Sequence, residues 1–193
     1  MHAIYKREMK SYFTSPIGYI VCSVMLLLLG LYFSYMYRNN YTNISFVFMS
    51  ISTIALLVCP IITMRLLSED TRQKAEQLLL TAPVKLWKII YGKFFAALTL
   101  FMLPFAMTFI YVFILMLSTS VNWLAFLADL LGIALLGSSI LAIGLFISAL
   151  TESQIIAGIF GIVVSFFIMQ IDYFSQSVDA TWFTNATTYI SFV

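Results

Sequence analysis

Five long apolar runs alternate with shorter polar segments along this chain of 193 residues. A helix rises ~1.5 Å per residue, so about 20 apolar residues cross the ~30 Å hydrocarbon layer of a bilayer. The last run is the shortest and lies at the lower end of this length. The pattern predicts an all-α integral membrane protein with five spans, at residues 17–37, 44–67, 94–117, 123–150 and 155–171. Pro60 and Pro104 predict kinks in the second and third spans.

The largest polar interruption is segment 68–93, between the second and third predicted spans. Ser68 suits an N-cap, and Pro83 suits the first turn of a second helix that runs into the membrane. Between them we predict a short amphipathic helix, after which Thr81 begins the turn. A solvated loop without a partner is the alternative. The polar face of the predicted helix consists of Glu69, Arg72, Gln73 and Glu76, with Asp70 beside it in the first turn.

The first 16 residues mix three basic side chains with aromatic and aliphatic ones. This mixture predicts a helix that lies in the membrane interface, with basic groups toward lipid phosphates and aromatic rings inward. The basic side chains are Lys6, Arg7 and Lys10.

The distribution of basic residues predicts the orientation in the membrane. Three of the ten lie in residues 1–16, six lie in 65–93, and Arg38 is the exception. Basic residues near the ends of spans mark the cytoplasmic side. We therefore expect a cytoplasmic amino terminus, a cytoplasmic segment 68–93 and an extracellular segment 172–193.

Composition supports the membrane assignment and narrows the function. Hydrophobic residues make up 62% of the chain and charged residues 9%, whereas soluble domains carry about 25% charged residues. The net charge of +2 does not indicate a nucleic-acid partner. Cys22 and Cys59 lie inside apolar runs and are interpreted as packing residues.

The sequence contains no recognisable catalytic set. It has one histidine, His2, and neither a metal-ligand spacing nor a phosphate-binding loop. Asp129 is the only acid well inside a predicted span, and its closeness to Trp123 predicts a place near the outer interface. These features disfavour an enzyme and an ion-coupled transporter. An energy source in another subunit is the remaining explanation.

Small residues in the last two predicted spans indicate close helix packing. In the fourth span, which includes Gly132, Gly137 and Gly144, we favour packing within the chain. In the fifth span, packing within the chain and an interface between subunits stay open. The candidate interface residues there are Ala157, Gly158 and Gly161.

Residues 11–18, 64–72 and 78–93 resemble the membrane subunit of ABC-2 type transporters, particularly the gliding-motility and copper-enzyme-maturation permeases. The motifs are R-L-L-S-E-D-x-R-Q, Q-L-L-L-T-A-P-V and I-I-Y-G-K-F. The resemblance implies two permease copies, two cytoplasmic ATPase subunits that bind Mg-ATP, and six spans. A sixth span is therefore expected beyond Val193. A bacterial cell membrane is a further expectation, which the family resemblance of the chain implies. Residues 74–77 read K-A-E-Q where many relatives read Gly-Thr-x-Glu, which leaves the subgroup and the substrate open.

The resemblance also assigns roles to residues of this chain. It implies that segment 69–81 is a coupling helix that docks on the ATPase, and that residues 3–13 form a connecting helix beside it. We expect a permease without a cofactor or catalytic residues of its own, working as an exporter with a path along spans one, two and five. A non-transporting scaffold that recruits a cytoplasmic partner is the alternative. The predicted ATPase contacts are Glu69, Asp70, Arg72, Gln73, Glu76, Thr81, Lys6 and Arg7.

Overall fold

The computed structural model describes residues 2–39, 44–68, 86–117 and 122–177. In these ranges the chain is helical and contains no strand, which confirms the predicted all-α fold. The helices are α1 (His2–Thr14), α2 (Pro16–Arg38), α3 (Ser45–Thr63), α4 (Leu86–Met102), a 3₁₀ turn (Leu103–Met107), α5 (Thr108–Met116), α6 (Trp123–Ala149) and α7 (Gln154–Ser177).

Four helical stretches are long and apolar enough to cross a membrane. They are Pro16–Arg38, Ser45–Thr63, Trp87–Met116 and Trp123–Ala149, and Gln154–Ile168 is a shorter apolar helix. The sequence predicts a helix from about Pro83, and its described part begins at Leu86. That helix is continuous with the third span, so its first apolar residues precede the predicted boundary at 94. Segments 69–85 and 178–193 lie outside the described residues.

Two prolines mark changes in the helical structure, at Pro16 and at Pro104, whereas Pro60 lies inside the helix Ser45–Thr63. Ser15 is extended (φ −91°, ψ 153°) because a residue before proline avoids the helical region, and Pro16 then occupies the first turn of α2. A Cβ on Gly18 would lie 2.5 Å from the Tyr12 carbonyl oxygen, so this corner requires glycine. At Pro104 the α-helical pattern gives way to the 3₁₀ turn, as expected for a residue without a backbone N–H.

Helix α3 lies at the centre of the described bundle and packs against α2, α4, α6 and α7. Its fully buried residues include Ile51, Ala55 and Ile62. In α6, a Cβ on Gly144 would lie 3.0 Å from Cβ of Thr63, and one on Gly137 would lie 2.7 Å from Cδ1 of Phe101. These contacts confirm packing within the chain at Gly137 and Gly144, whereas a Cβ on Gly132 would meet no described atom within 4 Å.

Candidate functional site

The carboxyl end of α3 leads directly into the undescribed segment 69–85. After Thr63 the chain continues as a turn, in which the Leu66 amide donates to the Thr63 carbonyl at 3.0 Å. A helix end leaves its last carbonyl groups without helical donors. Residues 62–68, here called the α3 terminus, must therefore find hydrogen-bond partners elsewhere.

Side chains from three other helices supply those partners. The Tyr12 hydroxyl of α1 donates to the Ile62 carbonyl at 3.1 Å. Lys93 of α4 donates through Nζ to the Leu66 carbonyl. In α6, Ser148 Oγ accepts from the amides of Leu67 and Ser68 at 3.2 and 3.1 Å. The α3 terminus is thus fixed to α1, α4 and α6 immediately before the polar segment begins.

Replacing Ser148 by alanine should therefore destabilise the fold by about 1–3 kcal/mol, because buried backbone donors lose their acceptor. The measurement is denaturant or thermal unfolding of the purified chain in detergent. Ser138→Ala is the matched control, since Ser138 donates only to the Leu135 carbonyl of its own helix at 2.8 Å. Its effect should stay within about 0.5 kcal/mol. Equal effects of the two substitutions would contradict this role of Ser148.

Lys93 is buried in the structure, although the sequence placed it in the solvated segment. Its side chain is 1% exposed, and Nζ lies 3.4 Å from Glu8 Oε1, whose side chain is 12% exposed. Arg7 Nη2 also contacts Glu8 Oε1, at 2.8 Å. A cation at this depth requires a counter-ion and hydrogen-bond acceptors. Glu8 supplies the counter-ion, and the Leu66 carbonyl supplies one hydrogen-bond acceptor.

Further contacts fix α1 along its length. The Tyr5 hydroxyl donates to Thr99 Oγ1 of α4 at 3.2 Å, and Arg65 Nη2 donates to Ser11 Oγ at 3.2 Å. Tyr5, Glu8 and Tyr12 are spaced for one helical face, which is the face against the bundle. Tyr5 and Tyr12 thus connect α1 to α4 and α3, while the place of this helix in the membrane interface remains a prediction.

The small residues of α7 face α3 of the same chain. A Cβ on Gly161 would lie 2.9 Å from Cβ of Pro60, and one on Gly158 would lie 3.2 Å from Sδ of Met64. Ala157 is buried. These small residues therefore allow α7 to pack closely against α3 of the same chain. Their contribution to an interface between copies remains a prediction.

The family comparison gives the identity of this helical bundle. The family described as ABC-2 type transporter matches residues 1–193. The chain belongs to the ABC-2 type transporter family. The resemblance noted from its motifs is thereby confirmed, and the chain is the multi-pass membrane permease component of an ABC transporter. No curated protein and no solved structure matches it.

Most predicted ATPase contacts of this ABC-2 permease lie in the segment that the structure does not describe. They are Glu69, Asp70, Arg72, Gln73, Glu76 and Thr81. Lys6 and Arg7 lie exposed on α1. Members of the family are generally non-catalytic membrane components that work with ATPase subunits. Among the described residues, no three His, Cys, Asp or Glu side chains are grouped to hold a metal ion.

Sequence reasoning did not identify four residues that organise the α3 terminus. These are Tyr12, Ser148, and the Glu8–Lys93 pair. A signal for the pair was available, since Glu8 is the only acid in residues 1–16 and Lys93 directly precedes an apolar run. No comparable signal marks Ser148, because serine is common in membrane helices and its partners are backbone amides 80 and 81 residues away.

Asp129 of the ABC-2 permease lies near the other end of α3 and accepts a hydrogen bond. Ser45 Oγ, at the first residue of α3, donates to its Oδ2 at 2.6 Å. The bond connects α3 to α6 beside an open 820 Å³ groove whose lining includes Met49, Gly132 and Leu136. Asp129 therefore has a structural partner, in keeping with the sequence argument against an ion-coupled mechanism.

Proposed function

We propose that this chain is the permease of an ATP-driven exporter, and that segment 69–81 receives the movement of a separate cytoplasmic ATPase. The observation that carries the proposal is the position of the α3 terminus. Ser68 is the last described residue before the segment and Leu86 the first after it, and Lys93, two turns after Leu86, donates to the Leu66 carbonyl. Both ends of the segment are therefore attached to one hydrogen-bonded cluster.

Because both ends are attached, a displacement of segment 69–81 would move whole helices. Displacement of the segment would act first on Ser68 and Leu86. The side-chain contacts of the α3 terminus would transmit this displacement to α1, α4 and α6 together, because packed interiors resist local deformation. The permease then supplies the pathway, and Mg-ATP is bound and hydrolysed in the partner.

The contacts also support the prediction that the basic residues of segments 1–16 and 65–93 lie on the same side of the membrane. Tyr12 reaches Ile62, and Lys93 reaches Leu66, so the ends of α1, α3 and the beginning of α4 lie at one end of the bundle. Basic residues of both predicted cytoplasmic segments meet there. We infer that this end is cytoplasmic, in a complex of two permease copies and two ATPase subunits. Export is the direction that the family resemblance favours.

Charge reversal in the coupling segment tests the proposal. The triple variant Glu69→Lys, Asp70→Lys, Glu76→Lys should insert normally and lose most ATP-dependent transport, at least tenfold, because its docking surface has the opposite charge. The measurement compares transport and ATPase activity of the complete complex in vesicles.

Glu152→Lys provides the control for this variant. Glu152 is an exposed acid in the turn between α6 and α7, four residues after Ser148 and so near the α3 terminus. Its reversal should leave transport within twofold of the parent. Normal transport by the triple variant would contradict docking through segment 69–81. Nucleotide-independent recruitment of the partner without any transport would instead support a scaffold.

A further inference from the structure

The outer face of α1 forms one wall of a basic pocket. Arg7, Lys10, Ser11 and Thr14 follow the spacing i, i+3, i+4, i+7 and so share one face of the helix. This face lies away from Tyr5, Glu8 and Tyr12, which contact the bundle. With Ser15 and Arg65 these residues line a 360 Å³ pocket.

Hydrogen bonds hold the walls of this pocket in place. Arg65 Nη2 donates to Ser11 Oγ at 3.2 Å, which fixes the α3 terminus across α1. Thr14 Oγ1 donates to the Lys10 carbonyl at 2.7 Å, and Ser15 Oγ donates to the Tyr12 carbonyl at 3.3 Å. The lining among described residues thus contains three cations and three hydroxyl groups, and no acid.

We propose that this pocket binds the phosphate head group of an anionic phospholipid. Guanidinium and ammonium groups are the donors that phosphate oxygens accept from most readily. The Ser11 hydroxyl accepts from Arg65 and keeps its hydrogen for an anion, whereas Thr14 and Ser15 donate theirs to backbone carbonyls. Glu8 Oε1 contacts Arg7 at 2.8 Å and offsets part of the positive charge of the three lining cations, and a bound phosphate would offset more of it. The chemistry of the lining therefore fits an anion with several oxygen acceptors.

The place of the pocket favours a lipid as the source of that phosphate. Ser15 directly precedes Pro16, where the membrane-spanning helix α2 begins. The head groups of the adjoining leaflet lie at that level, and basic residues there attract anionic lipids. The site lies on the face of α1 opposite the Glu8–Lys93 contact and goes beyond the proposed docking function.

Lipid binding to the purified full chain in detergent tests the inference. Native mass spectrometry would follow titration with dioctanoyl phosphatidylglycerol or dioctanoyl phosphatidylcholine. We expect phosphatidylglycerol to bind at least fivefold more tightly than phosphatidylcholine. Lys10→Gln should weaken its binding about fivefold, the effect of one basic residue near an anionic head group. Lys10 is exposed, so the substitution should not disturb folding.

Lys88→Gln is the matched control, because Lys88 is an exposed lysine that does not line the pocket. It should change binding less than twofold. Equal weakening by the two substitutions, or equal binding of the two lipids, would overturn the proposal. Inorganic phosphate forms a third arm of the experiment. Displacement of the lipid by phosphate at equal concentration would reassign the pocket to a free anion.

Discussion

Replacing Glu8 by glutamine is expected to destabilise the folded chain by about 3 kcal/mol. The substitution keeps the size of the side chain but removes the counter-ion of Lys93, whose Nζ lies 3.4 Å from Glu8 Oε1 and whose side chain is 1% exposed. Loss of one partner of a buried pair leaves an uncompensated charge in a medium that solvates it poorly. Thermal or denaturant unfolding in detergent measures the effect.

A double substitution separates the charge from the packing at this site. Lys93→Met retains an unbranched apolar stem and leaves Glu8 beside Arg7, at 2.8 Å. The variant that combines Glu8→Gln with Lys93→Met should be more stable than Glu8→Gln alone, since no charge is then buried without a partner. Glu152→Gln, at an exposed acid, should stay within about 0.5 kcal/mol. Additive single effects would show that the pair does not interact.

A methyl group at position 137 should also be strongly destabilising. Gly137→Ala places a Cβ 2.7 Å from Cδ1 of Phe101, a ring that is fully buried beside Phe105 at a centroid distance of 5.4 Å. Overpacking of this kind costs about 1–3 kcal/mol, and the higher helix propensity of alanine offsets part of it. We expect a net loss of about 2 kcal/mol, measured by thermal unfolding in detergent.

The same helix offers the control for this substitution. A Cβ on Gly132 would have no described atom within 4 Å, so Gly132→Ala should be neutral or stabilise the chain by up to about 1 kcal/mol. The two substitutions are chemically identical and differ only in what the new methyl group meets. Similar unfolding temperatures for both would mean that α4 and α6 are further apart at Phe101 than the structure places them.

The sequence carried enough information for the helices and for several of their ends. Apolar runs of about 20 residues allow few alternatives to a membrane helix. Pro16 and Pro104 interrupt helices through properties of their own backbone, so their effects follow from local chemistry. The mixture of basic and aromatic side chains in residues 1–16 likewise indicated a two-faced first helix. The family motifs lie in the same local segments, which is why the ABC-2 relationship could be read from them.

The candidate site depended on contacts that no local pattern contains. Lys93 has the same charge as Lys88 and lies five residues away, yet Lys93 is buried and Lys88 is exposed. Charge counting assigned both to the solvated segment. The difference arises because α1 brings Glu8 to Lys93 across 85 positions of the sequence. The sequence likewise left open whether Gly158 and Gly161 serve packing within the chain or between subunits.

The sequence by itself determined a membrane-embedded helical bundle, the face of its first helix and its membership of the ABC-2 transporters. These properties follow from hydrophobicity, helical spacing and proline chemistry, which act over a few residues. Only the tertiary structure decided that Tyr12, Lys93 and Ser148 meet at the α3 terminus, and that Arg65 closes a basic pocket over Ser11. Those partners are 27 to 81 residues apart, and their approach is a consequence of how the helices pack.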